Sequence, residues 1–516
     1  MSDETLIVGA GPTGLTLAIE LLRFGVPVRL IDKSDHAAKW SQALVVQART
    51  LEQFARYRIA DKAAAKGHKI DQVNFWSDRN LVASLRFEKI PGRYPYVLLL
   101  PQNETEQLLI EHLQSMGGKI ERNAELIAFQ HSFDGTGVTA EIRRPDGKVE
   151  QNRFRWLAGC DGAHSKVRSG LGVSFEGDTV GLHFSLGDLK LLGEDVPGDQ
   201  LEIHLHKGGD VLFIAKLLGN IHRVIVALHD QQNADAQHVP ELADFNGAFE
   251  SYGLNIRAQS AIWRAPFRVN QRKAGQYRVK SVFLAGDASH IHSPVGGQGM
   301  NTGIQDAANL AWKLAAVAKG ASETLLDSYN EERGKVGDAL LRGTSLGLRA
   351  ATLASPVLEK LRDFVLHGAI QLEAVQELIA KGISETSIDY RGSSIVVDNS
   401  HEGKIHAGDR MPDADQHSSG KTLLSALGSG QHLLVALDVP PQDVPRELNG
   451  AIISEINSQG SGWDPPIESL LGKGPQLFLV RPDGYVGLHG KTGGEALLKY
   501  AQTVGLDSLA SKYTHP

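Results

Sequence analysis

The chain has 516 residues, 41% of them apolar and 22% charged, with a formal net charge of −7. That length exceeds one ordinary hydrophobic core, so two or three domains are expected. The acidic balance and the scatter of Lys and Arg argue against a nucleic-acid partner, and the single cysteine, Cys160, excludes an intramolecular disulfide and a cysteine-based zinc site.

The first element is read from Leu6-Ile7-Val8, an apolar run that suits a buried strand. Gly9, Gly11 and Gly14 follow it, and then a helical apolar pattern over 15–22. In such a strand–turn–helix the first glycine permits the bend, the second lets a pyrophosphate approach the backbone, and the third lets helix and strand pack closely. The helix N-terminus offers unpaired N–H groups to the anion. A second strand over 28–31 ends at Asp32, 23 positions past Gly9. That is close to the spacing of about 20 for a ribose-binding carboxylate, which disfavours a 2′-phosphate. The stretch predicts a dinucleotide site that NAD and FAD fit equally. Glycines, Pro12 and two threonines interrupt its apolar character after an acidic start, so it is neither a signal peptide nor a membrane span, and a cytoplasmic protein with no membrane partner is expected.

Helix-like and strand-like segments alternate to about residue 70, extended stretches follow at 72–75 and 96–100, and helical periodicity returns at 104–116. Alternating runs within 175–270, such as 201–206 and 211–216, suit a largely antiparallel sheet inserted into the first domain. The strand pattern of the first domain resumes at 281–287, a long helix runs over about 301–318, and further helices reach about 385. A polar, glycine-containing stretch near 392–410 reads as a linker into a last unit with strands at 432–438 and 476–480 and a helix near 494–504.

Two further motifs decide the cofactor. WLAGCDGAHSKVR, residues 156–168, places Asp161-Gly162 at the tip of a strand with Ser165 and Arg168 downstream; VFLAGDASHIHSPVGGQGMNTGIQDAANLAWKL spans 282–314. With GxGxxG, DG and GD fingerprints in this order, residues 1–385 resemble the class A single-component FAD monooxygenases, the aromatic hydroxylases related to p-hydroxybenzoate hydroxylase and phenol hydroxylase. The resemblance implies an α/β protein: a Rossmann-like FAD-binding domain with a helical extension over 1–72, 98–174 and 275–390, and an inserted, mainly antiparallel β-sheet substrate domain over 73–97 and 175–274. HAGDRMPDADQ at 406–416 and LFLVRPDGYVGLHG at 477–490 resemble the C-terminal thioredoxin-like α/β domain of phenol hydroxylase relatives, here 400–516. It lacks cysteine, so dithiol chemistry is impossible in it, and a structural or dimer-contact role is expected.

Physical reasoning supports the third motif: an Asp287 carboxylate after a buried strand can accept a ribityl hydroxyl while Gly286 keeps the backbone close. The glycine-rich stretch 296–301 opens the long helix toward the negative charge of a reduced flavin. By matched position, the resemblance implies cofactor contacts from Gly9, Gly11, Pro12, Thr13, Gly14, Asp32, Lys33, Gln42, Arg49 of the ARTLE stretch, Gln102 on the ribityl or flavin side, and the Leu126 backbone at adenine. It adds Asp161, for FAD and pyridine nucleotide, with Gly162, Gly286, Asp287, Pro294, Gly297, Gly299, Met300 and Asn301. No second nucleotide fold is present, so NADPH or NADH is expected as a transiently docking co-substrate.

The implied activity is hydroxylation of a small phenolic or polycyclic aromatic substrate by O2 through a C4a-hydroperoxyflavin, in a monomer or homodimer without a metal. Two positions depart from the pattern: Gln42 replaces a common arginine, and Leu44 stands where the phenol hydroxylase branch has an aspartate base. His204, His206, Lys216 and Arg223 are candidate replacements for that base, whereas His290 and His292 read as structural. No catalytic residue is assigned. The alternatives are an NAD(P)H oxidoreductase, a halogenase-type enzyme, and a non-catalytic protein binding FAD and an aromatic ligand. None of the tryptophans 40, 76, 156, 263, 312 and 463 lies in a halogenase GWxWxIP stretch.

Overall fold

The computed structural model describes residues 4–506 except 38–42, 89, 91, 134, 207–208, 230–238, 294–295, 353–367, 369–371, 401–402, 417–420, 446–447, 449, 458–462, 465 and 492–493. Gln42 and Pro294 lie outside the described residues.

The apolar strand Thr5–Val8, buried at every position, is the centre of a six-stranded sheet. Val28–Asp32 pairs parallel on one side of it and Trp156–Gly159 parallel on the other; Ile120–Arg122 and Val282–Leu284 extend the sheet in parallel, and Arg278–Val279 closes one edge antiparallel. Strands buried on both faces read as continuous apolar runs, which is why Leu6-Ile7-Val8 and Val282-Phe283-Leu284 were legible as strands. Helix Pro12–Arg23 packs against helices Gly299–Ala318 and Gln102–Ser115. A three-stranded antiparallel sheet, Glu125–His131, Val138–Arg143 and Val149–Phe154, adjoins this core.

The second body is an eight-stranded, mainly antiparallel sheet. It includes Gln72–Ser77, Asn80–Arg86, Phe175–Leu192, Leu201–Leu205, Val211–Lys216, His222–His229 and Arg257–Ala274. The period of two sorts its side chains. Leu212, Ile214, Val224 and Val226 pack under helix Leu242–Ser251 with Phe245 and Phe249. The opposite face carries Phe184, Leu186, Ile225, Trp263 and Phe267, and merges through Leu201, Ala215 and Leu217 with the main core.

A five-stranded sheet forms the C-terminal body, in the order Val397–Asp398, Val486–Gly490, Gln476–Val480, His432–Leu437, Ala451–Ile456. Its loop at 481–485 inserts into the first body. Arg481 is fully buried and donates to Glu332 Oε1 at 2.7 Å and Oε2 at 3.0 Å; Asp483 accepts from Asn309 Nδ2 and Trp312 Nε1, each at 3.1 Å. Lys313 Nζ completes the cluster, 2.8 Å from Glu332. Among the described residues no helix is long and apolar enough to cross a membrane.

Candidate functional site

Three loops leave the carboxyl ends of three adjacent parallel strands and meet above the sheet: Gly9–Gly14 after Thr5–Val8, Cys160–Gly162 after Trp156–Gly159, and Ala285–Asp287 after Val282–Leu284. In open α/β sheets, ligands bind in this crevice, where the chain order changes direction. The glycines divide by what surrounds them. A Cβ on Gly9 would lie 2.3 Å from the Cys160 carbonyl oxygen, and one on Gly14 1.9 Å from the Gly9 carbonyl oxygen, so both positions are closed by backbone. A Cβ on Gly11 would meet nothing within 4 Å. The Gly11 side of the turn is therefore open.

Helix Pro12–Arg23 starts there with Pro12 in its first turn, no side-chain cap and no acidic residue in that turn. Its first N–H groups and positive dipole end are left for an external anion. Asp32 ends the neighbouring strand and is oriented by the Ala10 N–H at 2.7 Å and the Ser34 N–H at 2.8 Å; Lys33 beside it is exposed. The Ala124 N–H donates to the Asp32 carbonyl at 3.0 Å, which brings the strand of Leu126 alongside, with the Leu126 side chain buried in the core.

At the second motif Gly162 holds a positive φ of 78° while Asp161 accepts from Ser165 Oγ at 2.6 Å, the Lys166 N–H at 2.7 Å and the Val167 N–H at 3.1 Å. The acid thus caps helix Lys166–Leu171 and shapes the turn. Arg168 on that helix reaches the Ala288 carbonyl at 2.9 Å and stacks on Phe175, tying the second loop to the third.

In the third loop Gly286 has φ +62°, and a Cβ there would lie 2.5 Å from Thr13 Oγ1, so the first and third motifs touch. Buried Asp306 accepts from the Gly286 N–H at 2.9 Å, His290 Nε2 at 2.8 Å and Arg333 Nε at 2.5 Å. Burial opposes its ionisation, yet Arg333 and His290 hold its carboxyl below the ordinary range. Asp287 differs. It remains accessible to solvent on the floor of the crevice, and no hydrogen-bond donor among the described residues reaches its carboxylate. Lost hydration from the surrounding atoms, and Asp306 nearby, push its pKa up against the opposing pull of His290.

The loop before helix Gly299–Ala318 is clamped to the strand Val45–Val46. Asn301 Nδ2 donates to the carbonyls of Val45 and Gly297 at 2.8 Å each, Asn301 Oδ1 accepts from the Gln47 N–H at 2.9 Å, and Gln47 Nε2 donates to the Gly296 carbonyl at 2.7 Å. A Cβ on Gly297, φ +63°, would strike Val45 at 2.6 Å. The helix itself begins with no side-chain cap and no acid in its first turn, and half-buried Met300 packs on the core behind it. His292, desolvated and beside His290, is pushed down to about 4 and is neutral at physiological pH.

Arg49 requires a correction. Its guanidinium donates to Glu52 at 2.7 Å and to the Asp483 carbonyl at 2.5 Å and stacks on Tyr485 at 4.8 Å, so it faces the C-terminal body and not a cofactor. Helix periodicity turns Arg49 to the side of helix Ala48–Arg56 that meets loop 481–485, while Gln47 meets the loop at Gly296. Gln102 shares its amide between the Ala43 N–H at 3.2 Å and Glu106 at 2.9 Å, pinning the segment that ends at Leu44. Leu44 is buried in the core.

The candidate replacements for a base also divide by face. His204 and His206 contact Tyr252 on the helix-covered side of the sheet, and Lys216 pairs with Asp199 at 2.8 Å. Of the four, Arg223 alone lies on the opposite face, bound to Asp188 at 2.5 and 3.0 Å, beside Trp263, with its buried Nη1 lacking a partner among the described residues. Sequence reasoning missed Asp306, Arg333, Gln47 and Glu385, which accepts from Thr302 and Gln305; a buried acid in the otherwise apolar helix 299–318 was a signal for Asp306, and the other three lie outside that helix.

Residues 3–344 match the FAD binding domain family. The chain is 34% identical over 425 residues to pentachlorophenol 4-monooxygenase of Sphingobium chlorophenolicum, covering 80% of this chain and 75% of that one. It is 34% identical over 522 residues to 6-methylpretetramide 4-monooxygenase of Streptomyces rimosus, covering 96% and 92%. Among solved structures, OxyS anhydrotetracycline hydroxylase from Streptomyces rimosus superposes with a TM-score of 0.78 at 27% identity, covering 98% of this chain and 99% of that one. The chain therefore belongs to the FAD binding domain family of flavin-dependent aromatic monooxygenases.

Proposed function

We propose that the crevice above the six-stranded sheet holds one FAD noncovalently and that the enzyme uses NADH or NADPH and O2 to hydroxylate a phenolic or polycyclic aromatic ring. The observation that carries this reading is the convergence of three glycine-bearing loops from adjacent parallel strands on one open, cap-free helix end. The turn 9–14 would receive the pyrophosphate on the Gly11 side, Asp32 the adenosine ribose, the backbone near Leu126 the adenine, and Asp287 a ribityl hydroxyl. The first turn at Gly299, Met300 and Asn301 would face the flavin ring, where its dipole favours added negative charge. Bound FAD, once reduced, supplies oxygen activation at its C4a position and delivery of one oxygen atom to the ring.

The protein's own part is to bind, orient and exclude water. Asp161 and Arg168 shape the second loop; Asp306 and Arg333 fix Gly286 from behind. The sheet face carrying Phe184, Ile225, Trp263 and Phe267 supplies an apolar and aromatic wall, in which Arg223 is buried against Asp188 and Trp263 and braces the strands. Sheet membership supports the division into a Rossmann-like domain, an inserted substrate domain and a C-terminal domain. The parallel pair His432–Leu437 and Ala451–Ile456, followed by the antiparallel hairpin 476–490, supports the thioredoxin-like reading of that last unit.

The experiment is a screen of phenols, salicylates, hydroxyquinolines and polycyclic quinols, following NADH and NADPH oxidation alongside peroxide. A substrate should accelerate flavin reduction, keep peroxide low and yield a product carrying one atom of labelled dioxygen. Equal reduction rates with every compound and no label in any product would reduce the reading to an NAD(P)H oxidase.

A further inference from the structure

The C-terminal body contains a cluster that the cofactor crevice does not use. Strand Val397–Asp398 pairs parallel with Val486–Gly490 so that Asp398 and His489 are register partners, and the turn that follows brings His406 to the same place. His489 Nδ1 lies 3.1 Å from Asp398 Oδ1, His406 Nδ1 lies 3.2 Å from Asp398 Oδ2, and the three ligand atoms all fall within 4.8 Å of one another.

Donor accounting shows what is missing. Gln476 Nε2 donates to the Lys473 carbonyl, which fixes Gln476 Oε1 as the acceptor that faces His489 Nε2 at 2.8 Å. His489 Nε2 must therefore carry its proton, and in the neutral ring the Nδ1 lone pair points at a carboxylate. His489 is fully buried and stacked on Phe478 at 4.7 Å, so it cannot turn to water. His406 is set against the same carboxylate, its backbone N–H held by Asp409 at 2.8 Å, and Asp409 is gripped in turn by Arg391 at 2.6 and 2.7 Å. Three electron-pair donors thus converge, and among the described residues no Lys or Arg forms an ion pair with Asp398, Arg391 being engaged by Asp409.

We propose that Asp398, His406 and His489 bind a divalent first-row transition cation of the Zn2+ type. Two imidazoles and a carboxylate are a borderline-soft ligand set that suits such ions, with a further coordination position left for water. Tetrahedral bonds of about 2.0–2.1 Å imply ligand–ligand edges of about 3.3 Å. The imidazoles face different oxygens of Asp398, at 3.1 and 3.2 Å, and with one ligand atom per residue the separations reach up to 4.8 Å, so an ion would draw the exposed Asp398 and half-buried His406 inward toward buried His489. Gln476 behind the His489 ring is an outer-shell partner of the kind that orients a metal ligand, while Asp409 holds the backbone that carries His406. The ion would staple the segment entering the C-terminal body to the strand Val486–Gly490. Sequence alone hides the site because its ligands stand at 398, 406 and 489 and share no local spacing.

The test uses the full-length, untagged FAD-loaded protein, treated with a chelator, dialysed against Zn2+ alone and analysed for bound metal, next to D398N and H406A. His406 is partly exposed, so H406A avoids the cavity that replacing buried His489 would leave. The expected result is one Zn2+ per chain, binding weakened about tenfold or more in each variant, flavin content unchanged, and a thermal midpoint raised by Zn2+ in the wild type only. Binding that is substoichiometric, or equal in wild type and both variants, would assign the cluster to a shared proton and overturn the proposal.

Discussion

Helix Gly299–Ala318 presents two regions of opposite character within twenty residues. Its first turn, with the neighbouring loops, is a surface of unmet demand: N–H groups without a side-chain cap, an open side at Gly11 and an Asp287 carboxylate with no donor among the described residues. Its middle, at Asn309, Trp312 and Lys313, is saturated by Glu332, Arg481 and Asp483. Burying those ions is costly, and removal of any one strands its partner in a medium that cannot solvate it. A binding site for a separate molecule is recognised by groups left unsatisfied; a permanent junction is recognised by groups that satisfy one another. The C-terminal body belongs to the second kind, since Arg410 also pairs with Glu52 and Arg56 donates to the Pro482 carbonyl.

Arg481→Ala breaks the comparison from the saturated side and has the largest expected effect. It leaves Asp483 buried without its cation and Glu332 with Lys313 alone, for a loss of about 3–5 kcal/mol in denaturant unfolding. FAD affinity, measured well below the midpoint, should change little. A loss under about 1 kcal/mol, the worth of an exposed pair, would show the junction to be solvated.

Glu385→Gln sharpens the boundary between the two regions. Glu385 accepts from Thr302 Oγ1 at 2.8 Å and Gln305 Nε2 at 2.5 Å on this same helix, and burial raises its carboxyl from 4.5 to about 8. A raised folded-state pKa gives stability that is fully present below about 4.5 and lost as pH rises toward 8. The amide removes that loss. The variant should gain about 1–3 kcal/mol over wild type between pH 4.5 and 8, with no further gain above, read from urea unfolding across that range. A difference independent of pH would contradict the protonated buried carboxyl.

Asp287→Asn probes the unsatisfied region. Among the described residues its carboxylate has no donor, and its raised pKa means that ionisation at neutral pH weakens the apoprotein fold slightly, so the apoprotein should keep or improve its unfolding midpoint. FAD should dissociate about tenfold more readily, equivalent to about 1.4 kcal/mol. Loss of apoprotein stability with unchanged FAD binding would move Asp287 into the structural class.

The same contrast explains what the sequence disclosed. The parallel strands, the glycine turns and the two helices read at 15–22 and from about 301 are local features, fixed by neighbours a few positions away, and they were legible, although the first helix begins earlier, at Pro12. The inserted sheet was read from period-two alternation at 201–206 and 211–216. Arg481 and Arg49 each have a nearby acid, Asp483 and Glu52 respectively, but the contacts that bury them lie 149 positions away at Glu332 and 434 positions away at the Asp483 carbonyl, so nothing local distinguishes them from surface charges. That is why Arg49, sitting in a family-like stretch, was assigned to the cofactor when it serves the junction. The small sheet 125–154 also escaped, because its strands alternate over stretches too polar to announce a core.

Gly11→Ala tests the central claim most directly. At φ −77° and ψ −176° alanine is unstrained, and its methyl would meet no protein atom within 4 Å, whereas Gly14→Ala would collide with the Gly9 carbonyl and damage the fold itself. If the open side of the turn receives a pyrophosphate, G11A apoprotein should unfold within about 0.5 kcal/mol of wild type or slightly above it. Its FAD dissociation constant, from fluorescence titration of the apoprotein, should rise about tenfold or more. An unchanged FAD affinity in a normally folded G11A protein would contradict the account, because the cofactor would then lie elsewhere than against this turn.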